Sequence, residues 1–435
     1  MTNPKPPRNT DGSSALQQGY KRTEVGIIPE DWDHIRIGDV AKVKGGKRLP
    51  SSYALVDIPT PHPYLRVVDM RPGGVDQSAI KYVPEEAYPS IQRYRIFSDD
   101  IFISVAGTLG IVGVVPPELS GASLTENADR ITDIRCARDY LKYWLMSQPI
   151  QRAIESIRTV GAQPKLALGR IARFDIAIPR DATEQSAIAE ALSDVDELLG
   201  ALETLVAKKR AIKQGAMQEL LTGKTRLPGF CAEWETRQLG DLGRFLKGSG
   251  VTRDNAQSGP LACVRYGEIY TTHHDYVRSF HSWISAEIAA SATRLERGDL
   301  LFAGSGETKE EIGKCVAFLE SREAYAGGDI VILRPRGVDS LFLGYSLNTF
   351  EVNRQKASRG QGDAVVHISA TALAQVCLQM PPAEEQSAIA KVLSDMDDEI
   401  DALERWQGKT RAIKGGMMQQ LLIGRVRLVK LRAVS

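Results

Sequence analysis

Two sets of side chains, at matching places in the chain, could do chemistry together. Lys42, Lys44, Lys47 and Arg48 follow soon after Trp32, as Lys247 and Arg253 follow Trp234. Arg66 and Arg265 stand at the next matching place. Thr108 and Ser305 sit in small-residue loops, and two later polar stretches hold Gln163 with Lys165 and Arg359 with Gln361. Lys and Arg neutralise phosphates, and Arg, Gln, Ser and Thr match the donor and acceptor edges of bases. The chemistry these residues suit is therefore recognition of nucleic acid. For each taken singly, a solvated surface charge is the simpler reading. Arg66 and Arg265 each have a carboxylate three residues on, Asp69 and Glu268, so an ion pair explains them equally well. The loops Ala106–Gly107–Thr108 and Gly304–Ser305–Gly306 read equally as tight turns.

Bond-making chemistry finds no support. A phosphate loop needs Gly-x-x-x-x-Gly-Lys-Ser/Thr, but Gly223-Lys224-Thr225 is preceded by Gln218 where the first glycine belongs, and Gly304–Lys309 lacks the Gly-Lys pair. An amino-methyltransferase would carry a cofactor glycine loop and an Asn/Asp-Pro-Pro-aromatic tetrapeptide. Pro116-Pro117 and Pro381-Pro382 are not flanked that way. Nucleophile-elbow and zinc-protease signatures are also missing. The five cysteines have no C-x-x-C spacing, which argues for reduced thiols and against a zinc site. His273-His274 has no Cys or carboxylate at ligand spacing. No metal site and no catalytic residue is expected.

Composition sets the remaining bounds. An apolar fraction of 43% with 25% charge is ordinary for a soluble globular protein, and the net charge of +1 gives no chain-wide signal for nucleic acid. Basic patches must be local, offset by acid elsewhere. The first twenty residues, rich in Pro, Asn and Ser, read as a disordered lead-in without the apolar core of a signal peptide. No run reaches the length of a membrane span, so a cytoplasmic location is expected.

The elements that must position the polar residues are duplicated. Glu184 to Leu227 returns as Glu385 to Leu428 at a constant offset of 201, and about 26 of 44 aligned residues are identical, a level of self-similarity that marks a repeat. Both copies lack Pro and consist largely of strong helix formers. Apolar residues fall at Ile188, Leu192, Val195, Leu199, Leu202 and Val206, and again at Ile389, Leu393, Met396, Ile400 and Leu403. This 4-3 spacing is a coiled-coil seam. It lapses at Lys208–Lys213 and is expected to resume near Ile212, Ala216 and Leu220. Each copy runs from acid to base: Glu184, Glu190, Asp194, Asp196, Glu197 and Glu203 precede Lys208, Lys209, Arg210 and Lys213. Two such helices repel when parallel and attract when antiparallel, so an antiparallel pair about 60 Å long is expected at 1.5 Å per residue.

The duplication extends, more weakly, to the segments before each helix. Each opens with a Trp and a short strand, continues through an alternating segment at Arg66 or Arg265, and reaches a buried-looking strand with a small-residue loop. A short helix and a polar loop follow, then a strand ending in Ile178-Pro179 or Met380-Pro381. The expected class is α+β: two β-rich domains with short helices, joined by two long helices pairing as an antiparallel coiled coil. The boundaries read as lead-in 1–20, first domain 21–182, first helix 183–224, second domain 225–382, second helix 383–424 and tail 425–435. Near-identity in the helices beside divergence in the domains suggests that the helices share a task while each domain recognises something different.

With these motifs assembled, the chain resembles the DNA-specificity subunits of type I restriction–modification systems from about Tyr20 to Leu428. The carrying motifs are "TEVGIIPEDW" (Thr23 to Trp32), "GDLLFAGSG", the "IP" and "MP" strand ends, and "EQSAIAxxLSDxD" with its "AIKxGxMQxLL" partner. The resemblance implies two target-recognition domains held by a helical spacer, each reading one half of a bipartite sequence in double-stranded DNA. It implies two methyltransferase subunits as partners, with restriction (translocase/nuclease) subunits joining the full complex, and no membrane. S-adenosylmethionine, ATP and Mg²⁺ would then bind the partners and not this chain. A competing reading is a non-catalytic protein-interaction scaffold with duplicated β-rich units, and a third is an enzyme with an unfamiliar active site. Salt separates the first two, since DNA affinity falls steeply with counterion concentration.

Overall fold

A computed structural model of the chain describes residues 18–158, 164–362 and 365–428. The expected lead-in up to residue 17, Gln163 and the tail from 429 lie outside these residues. The chain forms two compact units, Met1–Ala201 with Trp406–Ser435, and Leu202–Arg405. Each long helix, Ala182–Leu220 and Ala383–Leu421, contributes one part to each unit.

Unit 1 contains a four-stranded sheet in the order Val112–Val114, Ile101–Ser104, Ala128–Thr132, Lys42–Gly45, all antiparallel. A second sheet has the order Lys81–Tyr82, Pro63–Leu65, Ala122–Leu124, Arg95–Ile96, with one parallel pair, 63–65 on 122–124. Unit 2 repeats both orders: Cys315–Ala317, Leu300–Ala303, Ile330–Pro335, Gly243–Lys247, and Ser282–Ile284, Leu261–Val264, Ala324–Ala326, Thr293–Arg294. The parallel pair recurs as 261–264 on 324–326. The expected α+β class with duplicated β-rich domains is what the chain adopts. The stretch read as one short helix in each domain is two in succession, Arg138–Met146 then Gln148–Arg158, and Ser340–Ser346 then Phe350–Ala357. Pro149 cannot continue the first helix but suits the opening turn of the next.

Each domain is closed by pairing the strand at its opening Trp with its last strand. Trp32–Arg36 runs antiparallel to Asp175–Pro179, and Glu235–Gln238 to Cys377–Met380. The chain is thereby delivered to the start of a long helix a few residues later.

Within each unit the two long helices run antiparallel, as their charge order implies. In unit 2, Lys209 meets Glu399 at 2.6 Å, Arg210 meets Glu404 at 2.6 Å and Lys213 meets Asp397 at 2.7 Å. In unit 1, Lys414 meets Asp196 at 2.5 Å. Of the seam, Ile188, Leu192, Leu199, Leu202, Val206, Ile389, Leu393 and Ile400 are buried, while Val195, Met396 and Leu403 are half-buried. The expected resumption at Ile212 does not occur. That side chain is exposed, and burial returns at half-buried Ala216 and at Leu220. A straight helix drifts from a seven-residue repeat, so the buried stripe moves off the extrapolated position.

The domain core and the helix core are continuous in each unit. Trp32, Ile101, Tyr140 and Ile176 pack in one cluster with Ile188, Leu192 and Leu421, and Leu239, Phe302, Phe342 and Leu378 pack with Leu220, Ile389 and Leu393. The long helices end on Gly223 and Gly424, both at φ +69°, the left-handed closing position that favours glycine. At Gly424 a Cβ would also lie 2.6 Å from the Pro29 ring. The Trp and Pro of the opening motif thus pack on the end of the second helix, a dependence that local propensity could not reveal.

Candidate nucleic-acid interface

The polar loop of unit 2 folds back across the small-residue loop. Ile368 N donates to Gly304 O at 2.9 Å, and Ser305 pairs with His367 in a short antiparallel ladder. Gly304 N donates to Asp329 O at 2.7 Å. Around these contacts lies a cavity of about 500 Å³, bordered by Lys247, Ser305, Asp329, Arg359, Gln361 and His367. Four of the residues expected to contact DNA are therefore brought together: Lys247, Ser305, Arg359 and Gln361. Lys247 and Gln361 are exposed. Ser305 is buried, its Oγ 2.9 Å from His367 Nδ1. Arg359 is held from below, Nη1 donating to Gln355 O at 2.8 Å. Arg253 is exposed and does not border this cavity.

Unit 1 builds the same place on the same backbone. Leu166 N donates to Val105 O at 3.0 Å and Val105 N to Asn127 O at 2.8 Å. Thr108 is exposed at the tip of the small-residue loop, where Gly107 and Gly110 take φ +74° and +81°. Lys165 is exposed beside Leu166. Lys42 and Lys44 share Asp133, at 2.9 and 3.9 Å. Arg48 is paired with Glu126 at 2.5 Å, and Lys47 is exposed. Asp129, on the strand opposite Gly45, is buried, and burial pushes its carboxyl up to about 7 against the opposing field of Lys165. Nothing in its local sequence distinguishes it from a surface acid.

Arg66 and Arg265 take the ion-pair reading. Arg66 Nε and Nη2 donate to both oxygens of Asp69 at 2.9 and 2.6 Å, and Nη2 also donates to Ala79 O at 2.7 Å. Arg265 Nε and Nη2 both reach Glu268 at 3.2 Å, and Nε donates to Ser282 Oγ at 2.9 Å. Each carboxylate is buried and also accepts from the arginine's own backbone N–H, which fixes the chain direction after the parallel strand. A brace repeated in both units serves the shared framework.

Other repeated polar residues, prominent in the duplicated motif but without an expected role, fix the helices to the domains. Glu184 accepts from Trp32 Nε1 at 3.2 Å and from Arg427 Nη2 at 2.8 Å. Glu385 accepts from Trp234 Nε1 at 3.1 Å and from Arg226 Nη2 at 2.6 Å. Both carboxylates are fully buried. The neighbouring glutamines are used alike: Gln185 accepts from Ala137 N and donates to Pro179 O, and Gln386 accepts from Asp339 N and donates to Pro381 O. The constant offset of these residues was the available signal; their partners lie too far away in sequence to be read.

Two further observations bound the chemistry. Among the described residues no group of three or more His, Cys, Asp or Glu could hold a metal ion. No helix among them is long and apolar enough to cross a membrane.

Comparison with known proteins places this geometry. The model of the type I restriction modification DNA specificity domain matches the chain twice, over residues 29–214 and 232–412. The chain is 24% identical over 442 residues to the putative type I restriction enzyme MjaX specificity subunit of Methanocaldococcus jannaschii, covering 95% of this chain and 97% of that one. It is 23% identical over 443 residues to the MjaVIII specificity subunit of the same organism, again covering 95% and 97%. The type I restriction–modification S subunit from M. genitalium superposes with a TM-score of 0.58 at 15% identity, over 90% of this chain and 96% of that chain. A chain solved for complex assembly and conformational transition of the type I R–M system gives 0.56 at 18% identity, over 92% and 99%. At such identities the structural likeness is one of fold.

Proposed function

Because the chain belongs to the type I restriction–modification DNA-specificity family, whose domain model covers it twice, we propose that each unit reads one half of a bipartite DNA sequence for the enzymes that act on it. The observation that carries this reading is one framework built twice around differently lined polar sites. Lys247, Ser305, Arg359 and Gln361 line unit 2, where unit 1 has Gly45, Ala106, Asp129 and Lys165 in the corresponding region. Equivalent braces with different linings are expected when the fold is held constant and the ligand sequence varies.

The partners are two methyltransferase subunits, joined by restriction subunits in the complete complex. Each unit presents exposed apolar side chains on a long helix: Trp406 and Ile413 in unit 1, Leu205 and Ile212 in unit 2. These positions correspond at the 201-residue offset, and each pair is spaced by seven, the spacing of a helix-docking seam. Two equivalent faces suit two copies of one helical partner. Methyl transfer with S-adenosylmethionine and translocation with ATP and Mg²⁺ belong to the partners in this reading, and the chain contributes recognition without a catalytic group. Such a complex works where the DNA is, in the cytoplasm.

The test is a methylation map of the complex reconstituted with its methyltransferase partner. Expected is a bipartite target whose first half follows unit 1 and whose second half follows unit 2 when either domain is exchanged. Binding should weaken steeply with salt. Salt-insensitive binding without sequence preference would instead favour the protein scaffold.

A further inference from the structure

The corresponding sites of the two units share a backbone and differ in one buried charge. Gly45 faces Asp129 across the strand pair in unit 1, where Lys247 faces Val331 in unit 2. The flanking loop contacts are the same: Val105 O accepts from Leu166 N as Gly304 O accepts from Ile368 N. Asp129 is only 4% exposed, and its Oδ2 has no hydrogen-bond partner among the described residues. The bare backbone of Gly45 lies alongside, so that a Cβ there would come 3.6 Å from Asp129 Oδ1. Ile103 faces Asp129 from the other neighbouring strand and offers no donor. Lys165 is the cation whose field reaches the carboxylate.

A buried carboxylate oxygen without a donor works against folding. Unit 2 shows that this framework closes with Val331 at the same point, so the fold does not require the acid. A group that folding disfavours and the framework does not need is explained by a ligand that completes its hydrogen bonds.

Resting on the reading that unit 1 recognises a half-site, we infer that Asp129 accepts a hydrogen bond from the exocyclic amino group of a base, with Lys165 beside it on a phosphate. Ionised, as it is above about pH 7, the carboxylate only accepts, so it repels the carbonyl edges of guanine O6 and thymine O4. Adenine brings an amino group but sets its N7 lone pair against the second carboxylate oxygen. Cytosine N4 is therefore the expected donor, at one position of the first half-site.

Reconstitute the complex with its methyltransferase partner and map methylated sequences for the wild type, Asp129→Asn and Asp129→Val, with a thermal melt of each complex. The wild type should demand cytosine at one position of the half-site that follows unit 1. Both variants should relax that position roughly tenfold or more, the scale of one good base contact, while the second half-site stays as it was. Neither should melt earlier than wild type, because unit 2 carries Val at this point. An adenine requirement relaxed in the same way would retain the amino-group contact but overturn the choice of cytosine. Unchanged half-sites in both variants overturn the inference, as does a loss spread over every position with a lowered melt, which marks a structural brace. A wild-type complex with no sequence preference is a separate result, and it overturns the reading of function itself.

Discussion

Lys213 of the first long helix and Asp397 of the second are joined at 2.7 Å, and the pair recurs at the duplicated positions as Lys414 and Asp196 at 2.5 Å. A tyrosine of the domain completes each: Tyr345 donates to Asp397 at 2.6 Å and Tyr143 to Asp196 at 2.8 Å. The lysines also lie over these rings, at 5.1 and 5.4 Å. Burial, helped by the aspartate, holds both phenols above their usual range, so they remain donors. Helix, helix and domain are thus tied at one point in each unit. Asp397 additionally pairs with Arg278 at 3.1 Å. Asp397→Ala leaves Lys213 with Asp275 alone and Arg278 with Asp401 alone, takes the acceptor from Tyr345, and should cost about 2 kcal/mol. Asp196→Ala, at a more exposed site with one cation, should cost about 1 kcal/mol. Denaturant midpoints of the two variants check the order.

Arg427, near the end of the chain, should be indispensable to unit 1. It pairs with buried Glu184 and, at 2.9 Å, with Asp31. Arg427→Met leaves the buried Glu184 carboxylate without its cation, on the Trp32 hydrogen bond alone, and should cost about 3 kcal/mol. Arg427→Lys should recover only part, since an ammonium cannot make the two-pronged contact. Arg226→Met should do the same to unit 2 through Glu385. Thermal melts, with limited proteolysis to show which unit opens first, decide it.

Asp129 should make stability fall as pH rises. Its carboxyl is pushed from 3.8 to about 7 by burial, so the folded chain holds a proton that the unfolded chain has released. The stability linked to this group is intact below pH 3.8 and is lost as pH climbs through 7. The loss is at most about 4 kcal/mol, and nearer 2 once solvent screening is allowed for. Asp129→Asn should accordingly match the wild type near pH 4 and exceed it at pH 8. Equal stability at pH 8 would contradict this.

Lys356 should act with the opposite sign. Its buried Nζ donates to Gly313 O and Leu347 O, both at 2.8 Å, and burial lowers its pKa from 10.5 to about 8. Unit 1 makes the corresponding two bonds with a neutral amide, Gln151 Nε2 donating to Gly110 O and Leu145 O. A depressed lysine contributes stability that is present above 10.5 and lost as pH falls through 8. Asn353→Gln with Lys356→Ile copies the unit 1 arrangement and should be more stable at pH 7 by up to about 3 kcal/mol. The advantage should shrink toward pH 10, as denaturation at several pH values would show.

Much of the frame is legible without coordinates because its signals are local or periodic. The 4-3 spacing and the acid-to-base order of the long helices depend only on near neighbours, and Ile188, Leu192, Ile389 and Leu393 are buried accordingly. Where the pattern weakens, at Ile212, extrapolated periodicity failed because packing, and not spacing, decides which side of a drifting helix is covered. The polar residues divide differently. Lys247, Ser305, Arg359 and Gln361 could be named from their chemistry, but only the fold gathers them around one cavity.

The sequence by itself determined the duplication, the antiparallel helix pair, the order of elements in each domain and the absence of familiar catalytic motifs. Each follows from residue type at short range or from self-comparison. Tertiary structure alone decided which charged groups serve the framework and which stay outside it. Glu184 and Arg427 stand 243 residues apart, and Trp32 and Glu184 152 apart, yet they meet in one buried contact. Asp69 and Asp129 are both buried aspartates, but the first has a bidentate arginine and the second an oxygen with no donor among the described residues. A carboxylate's role depends on what surrounds it within a few ångströms, and folding brings those surroundings from distant parts of the chain.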